Sequence, residues 1–168
     1  MKKIGSLAVM ALMSFLLMSG VGLADQHDRL VPLLGDLEGW KAQPAHGMSL
    51  SSAQMKMISA NRIYHQADKN LTVNIMINSG PVMDSDLQES SSDNETAREQ
   101  SRQIDGFWVR SSYTKKNGSG EVIVYLDYNQ AANGVLVADY SNMSDDEVLQ
   151  VIKKMDWKKI KKVVSSML

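Results

Sequence analysis

Residues Leu71 to Asn78, LTVNIMIN, alternate Leu71, Val73, Ile75 and Ile77 with Thr72, Asn74, Met76 and Asn78. A strict period of two sends successive side chains to opposite faces of an extended chain, so this segment predicts a strand with one apolar face. The strand needs partners, and the sequence on either side supplies them. Ala53 to Gln66 also reads as a strand, with Ala53, Met55 and Met57 on one face and Ile58, Ala60 and Tyr64 on the other. Its apolar set changes face near Ile58, which predicts a bulge or bend there. The linker Ala67-Asp68-Lys69-Asn70 is short and polar, so the two strands should form an antiparallel hairpin.

Three further strands follow in quick succession. Phe107 to Lys115 sets Phe107, Val109 and Tyr113 against Trp108 and Arg110. The turn Lys116-Asn117-Gly118-Ser119 follows, where Asn-Gly accepts positive φ. Glu121 to Tyr128 places Val122, Val124, Leu126 and Tyr128 opposite Ile123 and Tyr125. Gly134 to Tyr140 places Val135 and Val137 opposite Leu136, Ala138 and Tyr140. Both of these strands are apolar on two faces, which predicts central positions with cover on each side.

The chain ends in helix. Ser144-Asp145-Asp146-Glu147 reads as a capping box, with Ser144 satisfying the Glu147 N–H and Glu147 reaching back. Val148, Leu149, Val151, Ile152 and Met155 form an apolar stripe, and Asp156 is placed to cap a second helix through Trp157, Ile160 and Val164. Near the start, Leu30, Leu33, Leu34 and Leu37 recur at helical spacing, but Pro32, Gly35 and Gly39 limit them to short turns that pack Trp40 on the core. Gln43 to Ser52 reads as loop. Gly80 to Gln103 has few large apolar groups and reads as a polar insertion, loop through Ser90–Asn94 and then an exposed helix. The fold class that follows is α+β. An antiparallel sheet of about five strands carries a C-terminal helix on one face and a polar loop/helix insertion after the second strand.

The first residues indicate compartment. Lys2 and Lys3 precede an apolar run from Ile4 to about Leu23, and Gly22-Leu23-Ala24 offers small residues at a cleavage point. That order predicts a signal peptide over 1–24, cleaved to leave one domain over 25–168 in the periplasm or outside the cell. The chain contains no cysteine, so disulfides, thiolate chemistry and Cys-ligated zinc are excluded. Removing the leader's two lysines leaves a net charge of about −3, with no general electrostatic case for nucleic acid. No second long apolar run follows, so stable membrane insertion is not expected once the leader is gone.

No catalytic motif is present: no Gly-x-Ser-x-Gly elbow, no phosphate-binding glycine loop, no calcium-loop spacing in pairs such as Asp84 with Asp86. His27, His46 and His65 stand apart, none in a paired metal-ligand spacing. Three features invite a function. Thioether and imidazole are good ligands for Cu(I), and HGMSLSSAQMKM carries His46, Met48, Met55 and Met57; methionine also serves as adaptable core filler. Trp108, Arg110 and Tyr64 form a candidate binding surface on the sheet. Lys153, Lys154, Lys158, Lys159, Lys161 and Lys162 form a cationic helix face, suited to solvent, anionic headgroups or an acidic partner.

Two resemblances rest on these residues. The His46, Met55 and Met57 set resembles the small periplasmic copper and silver chaperones of metal-efflux systems, which hold the ion with one His and a Met-x-Met under a Trp. That implies Cu(I) or Ag(I) at those residues, with Trp40 as the cap, although Trp40 precedes His46 instead of following it. Over a longer span, the order Gly39-Trp40, Ala60-Asn61-Arg62-Ile63-Tyr64, a Val/Ile strand, Asp105-Gly106-Phe107 and a Ser-capped helix ending in Asp156-Trp157 resembles small exported bacterial proteins of Mog1/PsbP-like architecture. That resemblance implies an antiparallel sheet flanked by helices and a binding or accessory role. The reading is thus a periplasmic binding or accessory protein without catalytic activity or cofactor, its partner an unknown protein or small molecule. The alternative is a Cu(I)/Ag(I)-binding protein.

Overall fold

The computed structural model describes residues 26–52, 55–83 and 87–168. The leader at 1–24, Ala53 and the pair Asp84 and Asp86 lie outside the described residues. Two short 3-10 turns, Gln26–Arg29 and Val31–Leu33, lead into nine strands: β1 (Lys41–Ala42), β2 (His46–Ser51), β3 (Lys56–Gln66), β4 (Lys69–Ser79), β5 (Ser90–Asp93), β6 (Ala97–Ile104), β7 (Phe107–Thr114), β8 (Ser119–Tyr128) and β9 (Ala132–Ser141). Helices α1 (Asp145–Ile152) and α2 (Trp157–Ser165) close the chain.

All nine strands belong to one antiparallel sheet, ordered β1-β3-β4-β9-β8-β7-β6-β5, with β2 continuing β1 along the same edge of β3. Two meanders therefore meet. The first ends at β4, the second runs inward from β5 to β9, and ten residue pairs from Asn70↔Ser141 to Ser79↔Ala132 join them. The alternation in β4 has the predicted effect: Leu71, Val73, Ile75 and Ile77 are almost completely buried. The β3–β4 hairpin forms through Ala67–Asp68, with Ala67 at φ 53°.

The expectation of a five-strand α+β domain is overturned. The protein is mostly β, with nine strands and only two C-terminal α-helices among the described residues. The additional strands lie at the sheet's two edges, where water rather than protein faces much of their surface. Such a strand needs no apolar alternation; its neighbour's unpaired backbone groups hold it. Thus His46–Ser51, read as loop, pairs residue for residue with Asn61–Lys56 of β3. The polar run read as loop and helix over 90–103 is β5 and β6, joined to β7 through Asp105 (φ 53°) and Gly106 (φ 84°). Two consecutive positive φ values are what a two-residue hairpin turn requires, and Asp-Gly supplies them. The bend predicted near Ile58 is absent, since β3 keeps one register with β4 from Met57 to Gln66. The bulge lies instead in β8 between Tyr125 and Asp127. It tucks Leu126 into the core and turns Tyr128, expected on the Val122 face, to the opposite side.

Both helices pack on one sheet face. Ser144 Oγ accepts the Glu147 N–H at 3.2 Å, and Asp156 Oδ1 accepts the Lys159 N–H at 2.9 Å, so both predicted caps form. Glu147 does not reach back to complete the box; its carboxylate takes Lys69 Nζ at 2.5 Å and ties α1 to the start of β4. Trp157 meets Phe107 edge to face with centroids 5.7 Å apart, and its Nε1 donates to Ile152 O at 2.8 Å. At Gly134 a β-carbon would stand 2.1 Å from Val164 Cγ1, so glycine lets α2 approach β9 directly.

One charged pair anchors this layer to the far half of the sheet. Arg98 on β6 donates through two nitrogens to Asp145, which is 1 % exposed at the start of α1, and to Asp146 Oδ2 at 3.3 Å. Ser111 Oγ adds a contact to Asp145 at 3.4 Å. The Asp145 carboxylate holds the Arg98 guanidinium above its ordinary pKa. Removing one partner of a buried pair leaves the other charge uncompensated. Arg98→Met should therefore cost about 3–5 kcal/mol in urea unfolding, and Arg98→Met/Asp145→Ala clearly less than the sum of the single changes.

Candidate functional site on the open sheet face

The helices cover one face of the sheet; among the described residues the other carries no helix. Ladder partners share a face, so the registers identify which residues line this open side. One rung runs Ser59–Met76–Val135–Tyr125–Trp108 across five adjacent strands. The next runs Asn61–Asn74–Val137–Ile123–Arg110, and the one beyond places Glu121 opposite Asp139.

An apolar patch occupies the centre of this face. Tyr125, Val135 and Val137 are between 6 % and 8 % exposed. What buries them is not a helix but the connection between β4 and β5. That connection leaves β4 at the middle of the sheet and must reach β5 at the far edge, five strand spacings or about 24 Å away, which ten residues can span. Val82 and Leu87 from it pack on the cluster together with Met76, Trp108 and Ile123. Its start is pinned by Gly80 N–H to Ala131 O at 2.7 Å and by Asn133 Nδ2 to Gly80 O at 3.0 Å. The two-faced apolar pattern of β8 and β9 is thus met by helices on one side and this strap on the other.

The rung beside the patch is charged. Glu121 and Asp139 are direct cross-strand neighbours, and both carboxyls are pushed above the usual range. Loss of solvent is the main cause in each. Asp139 pushes Glu121 up further, and Arg110, one rung away, draws it back. Asn74 Nδ2 donates to Asp139 Oδ2 at 3.4 Å.

The sequence-based candidates separate on this frame. Trp108 and Arg110 both lie on the open face, on adjacent rungs beside Tyr125 and Ile123. Tyr64 lies on the opposite face, fully buried, its hydroxyl donating to Gly35 O at 2.8 Å. Burial raises its pKa to about 12. Tyr64 is therefore part of the packing that holds the N-terminal turns, with Arg62 beside it donating to Leu34 O and Asp36. His46 pairs with Asn61, and Met57 pairs with Leu50, so the two lie on one face but four residues apart along the ladder, about 13 Å. Met55 precedes β3 in the exposed β2–β3 turn, and Trp40 packs against the helix-side core. The structure thus brings neither Met55 nor Trp40 to His46. No cluster of three or more His, Asp or Glu side chains suited to a metal occurs among the described residues. The lysines of α2 lie on its exposed side, with Lys161 over the Phe107 ring at 5.9 Å, and Lys153, just after α1, stands 3.2 Å from Asp105.

Sequence reasoning missed the strap residues Val82 and Leu87 and the Glu121–Asp139 pair. A readable signal for the pair existed: Glu121 and Asp139 both sit at polar positions of strands that are otherwise apolar on two faces. No helix among the described residues is long and apolar enough to cross a membrane. No protein-family model, curated protein or solved structure matches the chain.

The carboxylate pair has a signed pH consequence. A carboxyl whose folded pKa is raised binds more protons in the folded state, so stability falls as pH rises through the window between the unfolded and folded pKa values. Glu121→Gln should therefore stabilise the protein at pH 7 by about 0.5 kcal/mol, the scale of a like-charge cross-strand pair. The gain should vanish below the ordinary carboxylate range, where both forms are neutral. Chemical denaturation at pH 7 and pH 3.5 checks it.

Proposed function

We propose that this is an exported periplasmic binding protein without catalytic activity, and that the open sheet face holds its ligand. The observation that carries the reading is the apolar patch of Tyr125, Val135 and Val137 on the face opposite the helices, against which Val82 and Leu87 pack. A sheet face that had no ligand to meet would normally be polar throughout, as antiparallel sheets with one solvated side are. Here the apolar rung from Met76 to Trp108 spans four strands, about 14 Å, with Arg110, Glu121 and Asp139 beside it. That arrangement suits an elongated ligand with an apolar body and a polar end. The lack of any catalytic motif in the sequence, and the leader-like first 24 residues, support the non-enzymatic and exported parts of the reading.

An environment-sensitive apolar dye such as N-phenyl-1-naphthylamine tests it. The purified protein should bind the dye saturably, with fluorescence enhancement. Val137→Asp, whose side chain lies in the patch, should weaken binding at least tenfold while far-UV circular dichroism stays unchanged. A dye that binds Val137→Asp as well as the parent, or does not bind the parent at all, contradicts the proposal.

A further inference from the structure

We propose that Met48, Met57 and Met76 form a three-thioether site for a soft monovalent cation, Cu(I) or Ag(I), at the β2 end of the open face. The ligand set differs from the one the sequence suggests, because the register rearranges the methionines. Ser59 on β3 pairs with Met48 on β2 at one side and with Met76 on β4 at the other. Met57 stands two residues before Ser59 on the same strand and therefore on the same face. The register thus places three methionines on one face around a single serine.

The spacing fits a single ion. Adjacent strands are about 4.8 Å apart and alternate residues on one strand about 6.7 Å apart. The Met57 α-carbon is then about 8 Å from those of Met48 and Met76, and these two are about 10 Å from each other. Every vertex of that triangle is about 5 Å, in projection, from its centre. A methionine sulfur reaches about 4 Å from its α-carbon, and a metal–sulfur bond adds about 2.3 Å. Three side chains leaning over Ser59 can meet at one point above it. A side chain larger than serine at that position would fill the space.

The chemistry around the triangle selects the ion. Thioethers are neutral and soft, and they favour Cu(I)-like ions over Zn(II) or Ca(II), which take charged or harder donors. Among the neighbouring positions on this face, Leu50, Asn78, Asn61 and Asn74 are uncharged, and His46 stands two residues before Met48 on β2. Among the described residues at these positions there is no carboxylate to recruit a divalent ion and no ammonium to repel a monovalent one. Lys56 points to the other face, where its Nζ donates to Met167 O at 3.1 Å. Met48 is 51 % exposed, so an ion has direct access.

The site shares Met76 with the apolar rung but takes a different class of ligand, so the two readings fail separately. Titrate Ag(I) into the purified protein labelled with ¹³C at the methionine methyls. The methyl signals of Met48, Met57 and Met76 should shift together and saturate at one ion per chain. Each of Met48→Leu, Met57→Leu and Met76→Leu should weaken binding at least tenfold; leucine keeps the volume, and circular dichroism checks the fold. Met83→Leu should leave Ag(I) binding unchanged. Shifts confined to the exposed Met55 and Met83, undiminished binding in the triple leucine variant, or a loss in His46→Ala as large as that in Met76→Leu would each overturn the assignment.

Discussion

The ten-pair ladder between β4 and β9 is the constraint on which the rest of the structure depends. It brings together residues 53 to 71 positions apart, and among the described residues it is the only strand pairing that joins the two meanders. The other strand pairings are shorter in range: hairpins from β2 to β4 on one side, from β5 to β9 on the other. Both strands at the seam bury their helix-side residues almost completely, from Leu71 to Ile77 on β4 and from Leu136 to Tyr140 on β9. The free energy that offsets the entropy of closing so long a loop comes from that burial. Because β4 must end at the seam while β5 begins at the far edge, the chain has to cross the sheet, and the crossing places the strap over the open face. The partial cover of the open face is in this sense a consequence of the topology.

The two faces are then treated differently. On one, α1 and α2 supply a continuous apolar layer, fixed by two side-chain caps, by the Arg98–Asp145 pair and by the close approach at Gly134. On the other, cover among the described residues comes from Val82 and Leu87, and it gives way within two rungs to Glu121, Asp139 and a field of asparagines. Charge is divided in the same way: lysines line the outer side of α2, while the two carboxyls with raised pKa values lie on the opposite face of the sheet. A thin apolar cover beside a polar rung can be exchanged for a ligand at lower cost than a packed helix can.

Legibility in the sequence followed burial. The buried strands β4, β7, β8 and β9 announce themselves by alternation, and both helix caps are readable from Ser144 and Asp156. The antiparallel pairing of β3 with β4 and the turn at Asn117-Gly118 are readable too. The edge strands are not, because SSSD and AREQSRQI owe their conformation to a neighbour's hydrogen bonds and carry no pattern of their own. One local signal was available there, Asp105-Gly106, whose turn chemistry predicts a hairpin and hence a strand before Phe107. Of the candidate surface, Trp108 and Arg110 could be placed together from parity alone, whereas Tyr64 could not be assigned a face without knowing which side the helices take. Met48 and Met76 are 28 residues apart in sequence, and only the register around Ser59 makes them neighbours.

Amide hydrogen exchange tests the central claim, that one long-range ladder holds two locally folded meanders in a single sheet. Under native conditions the amides of Leu71–Ile77 and Leu136–Tyr140 should be the slowest in the chain and should exchange together, through global unfolding, while those of Ser90–Asp93 exchange much faster. Exchange of the β4 amides at edge-strand rates, or release of β4 and β9 at clearly different free energies, would contradict it.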